Sequence, residues 1–256
     1  MKEIPLGGNL SDSVKVGDTV RRRAGPWTPA VHSLLGHLQR ADFPAPRPLG
    51  SDEQGRAILA FLPGEVHPGW PDPLPQWMFE DEATLVASAK LLRRYHDTLA
   101  TFTAPPGARW RSVGPGASEV ICHNDWSPSN ALFRGHEPIA MLDWDAAGPG
   151  TRAWDLAMSS YWWVPLSPHY PEPDLVARAT RFARFCAAYG TELSTREVFD
   201  VLPDQLRFAA DFCQREADSG DPGYAKLAGW GVPARLRVEA DILVSQRDRL
   251  IGAPPV

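Results

Sequence analysis

The sequence has few of the features that mark several large protein classes. Its only cysteines are Cys122, Cys186 and Cys213, which lie far apart and form no C-x-x-C pair. This argues against a disulfide framework or a zinc site and predicts reduced, buried thiols. No apolar run approaches the length of a membrane span, and the first ten residues lack the apolar core of a signal peptide. These absences predict a cytoplasmic protein without a membrane partner.

Positive charge is also limited. The chain has 26 Lys and Arg against 31 Asp and Glu, for a net charge of −5. Nucleic acid is therefore not an expected partner, because binding it calls for a basic stripe. The mild acidity is compatible with a cationic substrate. Neither G-x-G-x-x-G nor G-x-x-x-x-G-K-[ST] occurs, so Rossmann and P-loop nucleotide sites are unsupported.

The informative stretch is EVICHNDWSPSNALFRGHEPIAMLDWDAAGPGTRAWD, at residues 119–155. An apolar run leads into His123 and Asp125, and Asn130 follows five residues later. A second apolar run then ends on Asp143. This pattern predicts strands joined by a polar turn and a hairpin. The polar side chains at the strand ends can then converge.

Phosphoryl transfer from a nucleotide requires a carboxylate that accepts the proton of the attacking hydroxyl, and oxygen ligands for Mg²⁺. Asp125 would accept the proton. Asn130 would offer its amide oxygen to a metal, and Asp143 would bridge the metals. H-x-D-x-x-x-x-N followed by a strand that ends in Asp is the arrangement of kinase catalytic centres. The alternative is that Asp125 and Asn130 only cap turns.

HNDWSPSN, MLDWDAAGPG and AWDLA together resemble the aminoglycoside phosphotransferase and choline kinase-like family of small-molecule kinases. This chain has Asn124 where that family usually has Gly, and Asp145 where Glu is frequent. The resemblance implies an α+β, two-lobed, protein-kinase-like fold with a small β-rich N-lobe and a larger, mostly helical C-lobe. It also implies Mg²⁺ as cofactor, ATP or GTP as co-substrate and a small-molecule hydroxyl acceptor as partner.

The same resemblance implies roles for individual residues. Asp125 would be the catalytic base, and Asn130 and Asp143 would be Mg²⁺ ligands. His123 and Asp155 would support the catalytic loop. The expected N-lobe covers residues 1–62 and the expected C-lobe covers residues 63–256.

The first lobe supplies the expected nucleotide contacts. Short strands are predicted over residues 3–22, and Gly7 and Gly8 between them resemble the loop that covers the phosphates. A cation on the third strand would hold the α- and β-phosphates. Arg21 fits best by resemblance, and Arg22 is the alternative because neighbours on a strand face opposite ways.

The partner of that cation is not evident, because no Asp or Glu lies between Trp27 and Gln39 and His32 stands near the expected place. Strands at residues 46–49 and 57–62 lead to the expected hinge. There Phe61 and Leu62 would contact adenine through backbone groups.

Hydrophobic periodicity predicts six helices. They are expected at residues 28–39 (with Thr28 as N-cap), 80–101, 153–163, 174–189, 196–217 and 233–251. Residues 65–79 are expected to be irregular, and residues 103–118 to form a Pro- and Gly-rich connection.

Three functions remain open at this point. The first is a small-molecule O-kinase, acting on an aminoglycoside, another antibiotic or an amino alcohol. The second is a catalytically weak or inactive binding or resistance module on the same fold. The third, weaker one is a hydrolase that uses His123 and Asp125 as metal ligands, but two ligands at i and i+2 need further partners that are not evident.

Overall fold

The computed structural model describes residues 2–7, 13–69, 72–116, 118–168, 170, 174–190 and 193–252. Its N-terminal part is a five-stranded antiparallel sheet in the order β1-β2-β3-β5-β4, with the helix α1 after the third strand. The elements are β1 Ile4–Pro5, β2 Val14–Val16, β3 Thr19–Arg22, α1 Thr28–Arg40, β4 Pro48–Ser51 and β5 Ala57–Ala60.

The larger part is mostly helical. Its helices are α2 Trp77–Glu80, α3 Glu82–Thr98, α4 Arg152–Trp163, α5 Leu175–Tyr189, α6 Thr195–Asp218, α7 Pro222–Gly229 and α8 Val232–Ile251, with a 3₁₀ turn at Leu99–Thr101. Apolar side chains at helical spacing form one core that includes Tyr95, Tyr161 and Phe182. The cysteines Cys122, Cys186 and Cys213 are all free and buried, as predicted. None of the helices in the described ranges is both long enough and apolar enough to span a membrane.

Two small sheets follow the N-terminal part and carry the segment with His123, Asp125, Asn130 and Asp143. The strand β6 Val120–Cys122 pairs antiparallel with β9 Gly148–Gly150, and β7 Ala131–Arg134 pairs antiparallel with β8 Glu137–Met141. A 3₁₀ turn at Pro128–Asn130 precedes β7. The chain after β5 is fixed to this hairpin, because Glu65 and Phe133 exchange two backbone hydrogen bonds of 3.0 and 2.8 Å.

The two-lobed α+β fold is therefore as predicted, but some local predictions were wrong. Helix α1 has Trp27 rather than Thr28 at its N-cap, and the Thr28 hydroxyl accepts a hydrogen bond from the Gly25 N–H instead. The helix expected at residues 80–101 starts later, because the Asp81 side chain accepts hydrogen bonds from the first free N–H groups of α3.

Two helices were not predicted at all. The four-residue α2 lies in the stretch expected to be irregular. Helix α7 follows the capping carboxylate of Asp221 and begins with Pro222. Its glycines, Gly223 and Gly229, obscured the helical pattern because glycine disfavours helices.

Candidate active site

The loop after β6 turns sharply at Asn124, whose backbone has φ +64°. Only Gly adopts this left-handed region without strain, and Asn tolerates it better than most residues. The Asn124 side chain adds a hydrogen bond of 2.9 Å from its Nδ2 to the Ala146 carbonyl. Asn124 therefore adopts the left-handed turn that brings Asp125 to the site.

Asp155 holds this loop from the first turn of α4. One of its carboxylate oxygens accepts the His123 N–H at 2.7 Å, and the other accepts the Asn124 N–H at 2.8 Å. The His96 ring lies 2.9 Å away and contacts the Tyr189 hydroxyl with its other nitrogen. Asp155 is completely buried. Burial raises the pKa of Asp155, but the hydrogen bond and charge of His96, together with the hydrogen bond from the His123 backbone N–H, outweigh it and hold this pKa below its usual range.

The His123 ring connects the loop to the next strand. Its Nε2 lies 2.9 Å from the Leu142 carbonyl, and its Nδ1 lies 3.3 Å from the Asp125 N–H. These partners assign one neutral tautomer, in which Nε2–H donates and Nδ1 accepts. Burial lowers the pKa of His123, which favours the same neutral state. The His123 ring thus links the Asp125 backbone to Leu142, which directly precedes Asp143.

Asp125 and Asn130 lie in direct contact. The Asn130 Nδ2 donates to an Asp125 carboxylate oxygen and to the Asp125 carbonyl, each at 2.8 Å. Burial and the negative charge of Asp143 raise the pKa of Asp125 to about 7, against the opposing effect of the Asn130 hydrogen bond. A carboxyl group with a pKa near the working pH is suited to exchange a proton during a reaction.

Asp143 lies at the end of the second hairpin, in a backbone conformation with φ +56°. The Leu142 N–H donates to the Asn130 carbonyl at 2.8 Å, which places Asn130 and Asp143 on neighbouring segments. The Asp143 side chain is 31% exposed, and its Oδ1 accepts a hydrogen bond of 2.7 Å from Arg22. Burial raises the pKa of Asp143, but the Arg22 ion pair outweighs this and lowers it.

The structure places Arg22, and not Arg21, in this site. The Arg22 Nη2 also contacts Asp145 at 2.9 Å, so that one guanidinium joins both acids of the D-W-D segment. Arg21 points to the other face of the sheet, where it contacts the Thr19 hydroxyl and lies 3.6 Å from Asp52. The alternation of a strand separates the two arginines. Of the two candidates that the sequence offered, the geometry favours Arg22.

The expected acid on α1 is replaced by partners from the hairpin. Asp143 and Asp145 hold Arg22, whereas α1 presents His32 to the small cavity behind the guanidinium. Burial lowers the pKa of His32, which favours its neutral form. The missing helix acid therefore leaves no unpaired charge at Arg22.

The other predicted nucleotide residues lie in the sheet and at its exit. Gly7 is exposed with φ +76° next to β1, whereas Gly8 lies outside the described residues. Phe61 and Leu62 follow β5 and are partly exposed. The Phe61 N–H already donates to the Asp18 carbonyl at 2.9 Å, and the Lys15 ammonium covers the Phe61 ring at 3.8 Å.

The residues around Asp143 fit a magnesium ion. Mg²⁺ prefers oxygen ligands and is usually bound by one or two protein groups together with substrate phosphates. Asp143 offers a carboxylate, and Asn130 keeps its amide oxygen available because its Nδ2 is directed at Asp125. Within the described ranges, no group of three or more His, Cys, Asp or Glu side chains forms a ready metal site.

The sequence did not predict the site contacts of His96, Asp145 and Arg111. His96 and Asp145 lie in or near recognised motifs, but their partners Asp155 and Arg22 are distant in sequence. Arg111 lies in the connection before β6 and borders the same cavity as Asp125. No local pattern marks it, since its partners come from α6 and α7.

The fold is that of protein-kinase-like small-molecule kinases of known structure. Residues 107–230 match the family model APH, described as the phosphotransferase enzyme family. The chain also superposes on solved small-molecule kinases over almost its whole length, as the following examples show. The resemblance to the aminoglycoside phosphotransferase and choline kinase-like family is thereby confirmed.

Among the similar proteins is the trifolitoxin immunity protein of Rhizobium leguminosarum bv. trifolii. It is 37% identical over 167 residues, which cover 62% of this chain but only 59% of that protein. A choline/ethanolamine kinase family protein from Mesorhizobium loti superposes with a TM-score of 0.59 at 15% identity, covering 98% of this chain and 92% of that one. A macrolide 2′-phosphotransferase from Brachybacterium faecium gives a TM-score of 0.55 at 15% identity, covering 92% and 91%.

Proposed function

We propose that this protein transfers the γ-phosphoryl group of ATP or GTP to a hydroxyl group of a small molecule. The observation that carries the proposal is the contact of Asp125 with Asn130, next to Asp143 and Arg22 and on a loop held by buried Asp155. These groups supply a proton acceptor, oxygen ligands for a metal and a cation for phosphate. The similarity to phosphotransferases supports the same assignment.

In this proposal Asp125 accepts the proton of the attacking hydroxyl, and Asn130 fixes the orientation of its carboxylate. Asp143 and Asn130 would hold Mg²⁺, which when bound neutralises the charge on the phosphates. Arg22 would hold phosphate oxygens and would then exchange at least one of its two carboxylate contacts. His123 and Asp155 keep the loop in place.

The nucleotide would lie between the two lobes, with residues 1–62 covering it and residues 63–256 forming the floor. Gly7 and Gly8 would approach the phosphates through their backbone. Because the Phe61 N–H is already bonded, the base would contact other backbone groups near Leu62. The similarity to the trifolitoxin immunity protein supports resistance to a toxin as the biological outcome.

A binding module without turnover is the second candidate. The observation that favours it is the ion pair of Arg22 with both Asp143 and Asp145, which engages the proposed metal ligand. Such a protein would bind a toxic ligand without modifying it.

The deciding experiment is thermal stabilisation by ATP and by GTP, each with and without Mg²⁺. A ligand that binds only the folded state raises the melting temperature by mass action. We expect a Mg²⁺-dependent increase that is lost in Asp143→Ala and kept in Asp200→Ala, whose carboxylate forms an exposed pair with Arg247 on the surface. Acceptor-dependent ADP release that Asp125→Ala lacks would then separate the kinase from the binding module. No increase with either nucleotide would overturn the kinase proposal.

A further inference from the structure

A continuous set of hydrogen bonds runs from the protein surface to the loop that carries Asp125. It begins with Arg152 in the first turn of α4, whose Nη1 donates to the Tyr189 hydroxyl at 3.3 Å. That hydroxyl lies 2.6 Å from Nδ1 of the His96 ring, and Nε2 of the same ring donates to the Asp155 carboxylate at 2.9 Å. Asp155 in turn accepts the two backbone N–H groups that precede Asp125.

The inner part of this set is closed to water. The side chains of His96 and Asp155 are completely buried, and Tyr189 is only 1% exposed. A buried polar group needs a partner within the protein, because an unpaired one keeps its full desolvation penalty. Both nitrogens of the His96 ring have such a partner. The orientation of the ring is therefore fixed by Tyr189 on one side and by Asp155 on the other.

The Tyr189 hydroxyl is itself held in one position. Tyr189 is the last residue of α5, and the Arg93 guanidinium lies 5.6 Å from the centre of its ring. Arg93 also donates to the carbonyl of the next residue at 2.7 Å. Arg152 adds contacts with Asp97 at 3.1 Å and with the His96 carbonyl at 3.3 Å. The end of α5 is thereby attached to α3 and α4.

The contacts of Asp155 connect this set to the proposed chemistry. Its two carboxylate oxygens hold the backbone of residues 123 and 124, and Asp125 is the next residue along the chain. A rotation of this carboxylate would therefore displace Asp125. The His96 ring opposes the rotation, because it donates to the same oxygen that accepts the His123 N–H. A displacement of about 1 Å at a reacting group can lower a rate about 10²-fold.

We propose that Tyr189 and Arg152 are positioning residues of this phosphotransferase, which act through His96 and Asp155 to keep Asp125 in place for proton transfer. This rests on the proposed function. The described residues that line the cavity beside Asp125 do not include Tyr189 or Arg152. Their loss should therefore lower the rate of the chemical step without weakening nucleotide binding.

The first test examines the loop directly and needs no phosphoryl transfer. Amide hydrogen exchange at residues 123 and 124 is followed by NMR in the wild type, Tyr189→Phe and Tyr161→Phe. Tyr161 is the matched control, because it is also 1% exposed and its hydroxyl donates to a side chain, that of Glu239. Exchange at the two amides is expressed relative to core amides of α6, which removes the effect of global stability.

In Tyr189→Phe we expect the two loop amides to exchange about tenfold faster relative to the core, because the ring that steadies Asp155 has lost one partner. Tyr161→Phe should keep the wild-type ratio. Equal ratios in all three proteins would overturn the proposal. If Tyr189→Phe does not fold, Arg152→Gln takes its place, since the Arg152 side chain is 29% exposed. We expect the same direction of change there, with a smaller size.

The second test separates rate from binding, with water as the acceptor. Water attacks the γ-phosphorus of ATP or GTP in the presence of Mg²⁺, its proton passes to Asp125, and the nucleoside diphosphate leaves. For Tyr189→Phe we expect kcat to fall about tenfold with an unchanged KM for the nucleotide, as for a modest displacement of the proton acceptor. Tyr161→Phe should keep both constants. A changed KM with an unchanged kcat would contradict the proposal.

His96 provides a rescue experiment. His96→Leu should lower kcat at least as much as Tyr189→Phe, whereas the amide of His96→Gln can contact both Tyr189 and Asp155 and should restore most of the rate. Equal losses in the two variants would show that His96 only fills space. A wild type without hydrolysis and without a Mg²⁺-dependent thermal shift would contradict the proposed function instead, and loop exchange would still support or overturn the hold of Tyr189 on the loop.

Discussion

The segment with the proposed catalytic residues and the sheet that would cover the nucleotide differ in how their polar groups are held. In the segment from β6 to α4, Asp155 accepts hydrogen bonds from the backbone of residues 123 and 124, and His123 joins the loop to the next strand. In the sheet, β1 is exposed and the cation Arg22 is held only from outside, by Asp143 and Asp145. The segment from β6 to α4 thus positions its polar groups through contacts within itself. In the sheet, the Arg22 side chain is positioned by carboxylates of that segment.

The largest expected effect on activity comes from a substitution in the segment from β6 to α4. Asp125→Asn removes the proposed proton acceptor but keeps the size and the contact with Asn130. We expect acceptor-dependent turnover to fall by roughly 10²–10⁴-fold, as for loss of a general base, with nucleotide binding retained. Steady-state ADP release and nucleotide thermal shifts measure the two properties. Asp200→Asn, on the surface of α6, is the control; turnover equal to that of the control would remove Asp125 from the mechanism.

The raised pKa of Asp125 adds a pH dependence to this prediction. With a pKa of about 7, the carboxyl is ionised and able to accept a proton above neutrality, and it is protonated below. We therefore expect its infrared carboxyl band to titrate near neutral pH in the metal-free protein and to be missing in Asp125→Asn. Because a cation at Asp143 would offset the charge that raises this pKa, nucleotide with Mg²⁺ should shift the titration to lower pH.

The next largest effect is a loss of stability on substitution of Asp155, which holds the loop of Asp125. Asp155→Asn breaks a buried set of hydrogen bonds that includes His96, and we expect a loss of about 3–5 kcal/mol in the free energy of unfolding. Asp200→Asn breaks an exposed pair and should cost no more than about 1 kcal/mol. Denaturant unfolding monitored by circular dichroism measures both. Similar losses in the two variants would show that the loop does not depend on Asp155.

The lowered pKa of Asp155 makes the free energy of unfolding depend on pH. The folded protein binds this proton more weakly than the unfolded chain does. The stabilisation is therefore complete above the unfolded pKa of a carboxyl group, near 4. It is lost as the pH falls from there through the lower folded value, and Asp155→Asn should not show this loss.

A smaller effect is expected where the two regions meet. Arg22→Gln removes the guanidinium beside Asp143, and we expect nucleotide affinity to fall roughly tenfold or more, as for loss of charged hydrogen bonds. Arg21→Gln, its neighbour on the opposite face, should change affinity little. Titration with a fluorescent ATP analogue compares them directly. A larger loss in Arg21→Gln would restore the assignment that the sequence alone favoured.

The smallest effect concerns a single backbone conformation. Asn124→Ala places a side chain without hydrogen bonds in the left-handed region and should cost about 1–2 kcal/mol of stability. Asn124→Gly relieves the strain but loses the bond to Ala146, so we expect it to remain near the wild type. Thermal unfolding of the three proteins tests this order. Equal stability of the Ala and Gly variants would show that the left-handed turn is not retained.

Local sequence patterns were sufficient to predict the strands of the site but not the choice between its two candidate arginines. The strands around His123, Asp125 and Asp143 were predicted because short apolar runs and polar ends lie next to each other in the chain. The choice between Arg21 and Arg22 was harder, since it depends on which face of β3 turns inward. Alternation in a strand shows that Arg21 and Arg22 lie on opposite faces. It does not show which face is turned to the site, because each face carries an arginine.

Contacts between distant segments could not be predicted for a different reason. Asp145 as partner of Arg22, and His96 as partner of Asp155, require knowledge of how three elements pack. The β9 strand Gly148–Gly150 was also missed, because its Gly-Pro-Gly sequence has no strand propensity. It forms because β6 offers an edge and because only glycine fits beside Ser112.

The Arg111 guanidinium stacks on two rings, 4.2 Å from the centre of Trp27 and 4.8 Å from the centre of Tyr224, and this stack has a consequence for the order of folding. Its three residues belong to segments that are far apart in the chain. Bringing them together costs loop entropy, and the contacts can form only after both the N-terminal sheet and the helical part have folded. Such non-local contacts are made late. We therefore expect early intermediates to contain the helical core without the stack. The ion pairs of Arg111 with Glu216 and Asp221 would then be among the last contacts to form on refolding and among the first to open when denaturant is added.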